Sequence, residues 1–366
     1  MVRLGRWFST FFSAALSLRL LQSRRTPAYI EVTPTKTDDV FSTATRAVIY
    51  GGRTLDLTLF AAARAVDVIV RAAWTRRAGN SKSKFANAIG KLADPVVFSF
   101  SSAAIMWAWF FTPANLPRSY RQWINSAAAV DDRLIEALRR CKNRELRYGE
   151  ETGQAPLLSS MCQDYDLPPE WGDPAVTIPF PCELVHMGCG PSCEIHAVSR
   201  FYRSFRWSLA TYLPLSFALQ LRKKPSAAAL RKTLLSAARS SAFLGTFITL
   251  FYYGVCLARR RIGPRLIGTD RRACNKIDGG ICVGTGCALC GWSIFLEAAR
   301  RRPELALFVA PRALATFLPR RYPVEKEWRE VVMFATSAAV LVCAAAEDKT
   351  AVRGVFGRLV GKVLER

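Results

Sequence analysis

Apolar runs alternate along the chain with basic, small-residue and proline-rich stretches, and the length of each run predicts its element. Ser241 to Ala258 (SAFLGTFITLFYYGVCLA) and Ile281 to Ala299 (ICVGTGCALCGWSIFLEAA) need only a few flanking residues to cross a hydrocarbon layer of roughly 30 Å, at about 1.5 Å per helical residue. Val96 to Phe111 (VVFSFSSAAIMWAWFF) and Val331 to Ala346 (VVMFATSAAVLVCAAA) carry no charge and are slightly shorter, and they too are predicted as spans. Leu209 to Leu221, interrupted by Pro214, and Leu305 to Leu318, interrupted by Arg312, are weaker and fit interfacial or re-entrant helices. The fold class that follows is all-α, a multi-span integral membrane protein.

Charge sharpens this picture. The 366 residues include 52 Lys+Arg against 28 Asp+Glu, yet 51% of them are hydrophobic, which argues against an ordinary soluble protein. A surplus of +24 suits nucleic acid, but the cations sit in clusters beside apolar runs, as in LRKKPSAAALRK, ARRRIGPRLIGTDRRACNK and ARRRPE. Clusters so placed attract anionic headgroups. The expected partners are therefore membrane lipids, with self-association or other organelle membrane proteins, and no nucleic acid. The amino terminus holds five arginines before its first acid, Glu31, and Trp7, Phe8, Phe11, Phe12, Ala15 and Leu16 follow helical spacing. A mitochondrial targeting helix and an amphipathic helix on a bilayer surface both fit that pattern.

Comparing the chain with itself reveals a degenerate internal repeat. LTLFAAARAV (Leu57 to Val66) matches LALFVAPRAL (Leu305 to Leu314), with identities at Leu57/Leu305, Leu59/Leu307, Phe60/Phe308, Ala62/Ala310, Arg64/Arg312 and Ala65/Ala313. VFSFSSAAIM (Val97 to Met106) similarly matches VMFATSAAVL (Val332 to Leu341). The division expected is a basic amphipathic segment (1–36), a shortened first membrane unit (37–124), a hydrophilic linker (125–181), a Cys/His-rich segment (182–204) and a fuller membrane unit (205–366). Within the linker, AAAVDDRLIEALRRCKNREL predicts an amphipathic helix with a Glu136–Arg140 pair, and LPPEWGDPAVTIPFP predicts a proline-rich loop.

Small residues four apart predict how the spans pack, because backbones approach closely where side-chain bulk is missing. Gly280, Gly284 and Ala288 form one such ridge, and Ser241, Gly245 and Thr249 another. Arg64 and Arg312 are expected as intramembrane charges, either snorkelling and anchoring the repeat or lining a polar cavity. Asp56 and Glu304 lie about two turns upstream, so Asp67 and Glu297 are the other acids considered as partners.

The segment PCELVHMGCGPSCEIHAVSRF (Pro181 to Phe201) concentrates both histidines of the chain with three cysteines. Cys182, His186, Cys193 and His196 spell C-x3-H-x6-C-x2-H, with Cys189 as a fifth candidate, and thiolates with imidazoles are the donor set zinc prefers. Three readings stay open: a structural metal, a disulfide or redox pair, and ordinary loop and helix-start packing. Cys256, Cys282, Cys287, Cys290 and Cys343 fall in apolar runs, where a thiol behaves as a small hydrophobe. Nucleotide-binding glycine loops, hydrolase elbows and metalloprotease helix motifs are missing from the sequence, so catalysis is not expected.

PCELVH and SCEIHAVSRF, with YLPLSFALQLRKK, SAARSSAFLGTFITLFYYGVCLARR, EAARRRPELALFVAPRAL and VVMFATSAAVLV, resemble the transmembrane protein 135 family, especially its fungal-type members. The likeness covers Pro181 to the carboxyl terminus; the first half joins it through the repeat. That family is in turn similar to the channel proteins of the mitochondrial inner-membrane translocases and to a small peroxisomal membrane protein. The resemblance implies a multi-span protein of peroxisomes or mitochondria, associated with organelle dynamics and lipid homeostasis, without an established catalytic activity. It places Cys182, His186 and Cys193 at family-like positions, His196 being more typical of the fungal-type pattern. A conduit for a lipid, metabolite or polypeptide is a second functional reading, and a membrane enzyme using Cys/His chemistry a third.

Overall fold

The structure is a computed structural model that describes residues 2–24, 26–34, 45–78, 84–221, 226–348 and 350–364. Along the chain run α1 (Val2–Ser23), β1 (Ile30–Pro34), β2 (Thr45–Gly51), α2 (Leu55–Ala78), α3 (Lys84–Phe111), α4 (Arg118–Ala128), α5 (Asp132–Asn143), α6 (Ala155–Asp164), α7 (Cys182–Val185) and α8 (Cys193–Leu221). They are followed by α9 (Ala227–Cys256), α10 (Ile262–Leu266), α11 (Arg271–Lys276), α12 (Cys282–Cys290), α13 (Arg302–Thr316), β3 (Tyr322–Pro323), α14 (Glu327–Glu347) and α15 (Gly354–Leu364). Four helical stretches are long and apolar enough to cross a membrane: Ala88–Phe111, Ala227–Leu266, Arg271–Leu296 and Val324–Glu347. They coincide with the four predicted spans. Large apolar side chains remain on their outer faces, Phe100, Trp292, Phe295 and Met333 among them, as suits a lipid solvent.

A small three-stranded sheet accompanies the helices. β1 and β2 pair antiparallel from Ile30↔Ile49 to Pro34↔Thr45, and β2 pairs with β3 at Tyr50↔Pro323 and Gly51↔Tyr322. A period of two does not mark β2, which reads TRAVIYG with four consecutive apolar residues. Of the stretch from Asp38 to Tyr50, too polar in sequence to be a span, Asp38 to Ala44 lie outside the described residues and Thr45 to Tyr50 belong to β2.

The chain forms two compact units, one of Met1–Asp94 with Pro303–Arg366 and one of Pro95–Arg302. These follow spatial contact and differ from the sequence division, since α2, α13 and α14 all belong to the first. In that unit α1 lies antiparallel along α14: Arg3 pairs with Glu347 at 2.6 Å near one end, while near the other Gln22 donates to Thr54, whose hydroxyl binds Glu330. Leu18 is completely buried, whereas Leu4, Phe8, Phe12, Leu16 and Leu20, each four residues on, stay exposed. The aromatic spacing of the amino terminus thus forms a helix that belongs to the fold of its unit. A core of Ala65, Val68, Leu341, Ala345 and Val352 joins α2 to α14.

Arg64 is buried there, donating to the Arg353 carbonyl at 2.8 Å with its guanidinium 5.0 Å from the Phe60 ring centroid. Two of the acids considered as its partners are hydrogen-bonded to other arginines. Asp67 binds Arg353, which also binds Asp94 at 3.0 Å, and Asp56 binds Arg320 at 2.9 Å. Arg312 lies 4.1 Å over the Phe308 ring and donates to the Phe308 carbonyl, while Glu297 accepts from Ser240.

In the second unit, α9 packs against α8 on one side and α12 on another. The Ser241–Gly245–Thr249 ridge faces α8: Ser241 is fully buried, and a Cβ on Gly245 would come within 3.1 Å of Phe201. The Gly280–Gly284–Ala288 ridge is not a close seam. Gly280 sits at φ 141°, which breaks the helical register, a Cβ on Gly284 would make ordinary contact with Trp107 at 3.6 Å, and Ala288 is exposed. The close approach is made by Gly254 and Gly286 instead. A Cβ on Gly254 would stand 2.9 Å from the Gly286 Cα, and one on Gly286 would stand 2.7 Å from the Phe251 carbonyl oxygen.

The linker is more than a connector. α5 forms as predicted, capped by Asp131 accepting from the Arg133 amide at 2.9 Å and carrying the Glu136–Arg140 pair at 2.9 Å. Its buried face joins Tyr148, Leu158, Met161, Phe180 and Leu184 in a core of its own. Two π-helical turns, Leu257–Arg261 after α9 and Ile277–Ile281 before α12, then bring Arg259 onto Asp278.

Candidate metal centre

The Cys/His segment folds locally because its polar termini and glycines permit tight turns. Cys182 opens the single turn of α7, and the His186 amide closes on the Cys182 carbonyl at 2.7 Å. Met187, Gly188 and Gly190 take positive φ values of 55°, 74° and 80°, turning the chain sharply so that Cys193, the first residue of α8, comes back beside α7. As a result one ligand atom from each of Cys182, His186 and Cys193 lies within 4.8 Å of the others. A tetrahedral ion with bonds of about 2.0–2.3 Å sets its ligand atoms roughly 3.5 Å apart, so small adjustments let this group hold a metal ion. All three residues are buried.

The imidazole of His186 is already oriented for such a role. Its Nδ1 lies 2.7 Å from the Gly190 carbonyl oxygen. A carbonyl only accepts, so Nδ1 carries the proton and Nε2 keeps its lone pair. This is the usual support of a metal-bound histidine, whose second nitrogen donates to a backbone or carboxylate oxygen. Burial holds the His186 pKa below its ordinary value, and burial together with His186 and Arg200 pushes that of His196 down to about 3. Both rings are therefore neutral near pH 7. Burial holds the Cys182 thiol above the usual range, partly offset by Arg259, so an entering cation has to displace its proton.

The sequence-derived ligand set is only partly assembled. His196 stacks on His186, with ring centroids 4.4 Å apart and planes 14° apart, and sets its edge toward Tyr252. Among the described residues neither of its ring nitrogens has a hydrogen-bond partner. Cys189 is half-buried in the turn and outside the group. The cysteines are all free, so the disulfide reading finds no bridge here.

Residues the sequence reading left out stand next to this group. Cys256, the last residue of α9, shares a buried cluster with Cys182 and Cys193, and its Sγ lies 3.3 Å from His186 Nε2. Three positions on, Arg259 binds Asp278 through Nε at 2.7 Å and Nη2 at 2.8 Å, and donates to the Phe180 carbonyl at 3.1 Å. The Tyr148 hydroxyl donates to the same carboxylate. Only one sequence feature hinted at Cys256: its place where the apolar run gives way to the ARRR cluster. No family model, curated protein or solved structure matches the chain.

Proposed function

We propose that the chain is a non-enzymatic organelle-membrane protein, built on a degenerate internal repeat, that acts in peroxisomal or mitochondrial lipid homeostasis and organelle dynamics. Zinc would serve it as a structural brace. Membrane lipids solvate its four apolar helices, and further copies or other organelle membrane proteins are the partners that fit. The observation that carries a structural rather than catalytic centre is the burial of Cys182, His186 and Cys193, with side chains packed around the group where a substrate would need an open position. The organelle and the lipid role rest on the resemblance of Pro181 onward to the transmembrane protein 135 family. A conduit has less support, because Arg64 and Arg312 lie against aromatic rings and backbone carbonyls.

Imaging of the tagged protein beside peroxisomal and mitochondrial markers, with lipid profiles of cells lacking it, tests this reading. Residence in one of those membranes and an altered lipid profile are expected. Placement elsewhere with unchanged lipids would refute it. Metal analysis of the purified chain tests the brace: about one zinc per chain is expected, and metal-free protein with undiminished stability would remove it.

A further inference from the structure

We infer that Cys256 is the fourth ligand of this centre, making it a Cys3His site that pins the extramembrane segment to the end of an apolar helix. The inference rests on the zinc reading above and changes what the site does. A ligand set confined to residues 182–196 would only tie a loop to itself. One that includes Cys256 ties α7 and the start of α8 to α9.

Three observations converge on this thiol. Its Sγ stands 3.3 Å from His186 Nε2, close to the roughly 3.5 Å that separates a sulfur and a nitrogen bound to one tetrahedral zinc. That nitrogen holds the ring's lone pair, because Nδ1–H is committed to the Gly190 carbonyl; without metal it accepts from the Cys256 thiol, whose proton an entering ion would displace. Finally, Cys182, Cys193 and Cys256 share one buried cluster, and Cys256, outside the tighter Cys182–His186–Cys193 group, would close in on the ion as it binds.

His196, the fourth ligand that the sequence spacing suggests, is placed to stack rather than bind. An imidazole lone pair lies in the plane of its ring. The ion would sit in the plane of the His186 ring, and the His196 ring is displaced from that plane by stacking, with the two planes only 14° apart. Binding through His196 would require turning its ring out of contact with both His186 and Tyr252. When zinc enters, the thiols of Cys182, Cys193 and Cys256 each lose a proton to solvent, His186 stays neutral, and four bonds form with no change of oxidation state. The resulting site carries one net negative charge. Cys193 at the amino end of the 29-residue α8 favours that charge.

Zinc-edge X-ray absorption on the full-length protein, loaded with zinc in detergent, reads the ligands without any substitution. Three sulfurs at about 2.3 Å and one nitrogen are expected. Two sulfurs and two nitrogens would overturn the assignment while leaving the zinc reading in place, and wild-type protein that takes up no zinc would overturn both. Cys256→Ser should reduce the sulfur count by one and speed zinc loss to a chelator at least tenfold. Cys256→His should retain zinc with two sulfurs, and His196→Gln should keep the wild-type spectrum. A Cys256→Ser spectrum identical to wild type, or loss of a ligand in His196→Gln, would count against Cys256.

Discussion

Within one turn at the end of α9, two neighbouring residues reach the linker and the Cys/His segment by different chemistry. Arg259 meets Asp278, Phe180 and Tyr148 in a site that contains both signs of charge and a hydrogen-bond partner for each end. Cys256 meets Cys182, Cys193 and His186 in a site that contains only donors for a cation. The first is complete with protein groups alone, and its strength is fixed by burial. On the zinc reading proposed above, the second would gain its strength from the ion it binds, and its contribution would follow the free metal concentration. The same junction would then be fastened once permanently and once conditionally.

The largest test breaks the permanent half. Asp278→Ala leaves the Arg259 guanidinium buried without a counter-charge, and should cost about 3–5 kcal/mol of unfolding free energy in detergent. Replacing both together, Arg259→Met with Asp278→Leu, should recover most of that loss. A silent Asp278→Ala would mean the pair is not desolvated as its 5% and 2% side-chain exposures indicate.

Metal removal probes the conditional half. With free zinc at a hundred times its dissociation constant, chelation should lower stability by about 2.7 kcal/mol, and restoring zinc should reverse it. The unfolding curve of Asp278→Ala with and without chelator separates the two fastenings: equal chelator effects mean they act independently, and a smaller effect in the variant means that each supports the other.

A milder change trims one arm of the ion pair. Tyr148→Phe removes the hydroxyl that donates to Asp278 while keeping the ring against Phe180, and should cost about 1.5–3 kcal/mol, as for a hydrogen bond to a charged group. The helix seam beside Cys256 supplies the smallest test. Gly286→Ala pushes a methyl against the Phe251 carbonyl and should cost about 1–3 kcal/mol, whereas Gly284→Ala, which meets only Trp107, should stay within about 0.5 kcal/mol. Equal effects at the two glycines would restore the four-residue ridge read from sequence.

Several features are legible in the sequence alone. Continuous apolar runs located the four spans because hydrocarbon thickness sets a minimum length that sequence displays directly. Glu136 and Arg140 found each other because an i, i+4 pair needs only helix geometry. Cys182, His186 and Cys193 came together because a short, glycine-turned loop constrains them locally. The small-residue ridge through Gly280 failed for a related reason: spacing arguments assume an unbroken helix, and the π-turn at Ile277–Ile281 shifts every later residue around the axis.

By itself, then, the sequence determined what depends on neighbours along the chain: apolar length, helix-face pairing, and a cluster of soft donors beside a basic, lipid-facing junction. Only the tertiary structure decided which distant groups complete those local beginnings. Cys256 lies 70 residues beyond His186, and Tyr148 lies 130 residues before Asp278. In sequence a cysteine at the end of an apolar run reads the same whether it packs as a hydrophobe or faces a histidine lone pair, because the difference lies in the direction its sulfur points after α8 and α9 have packed.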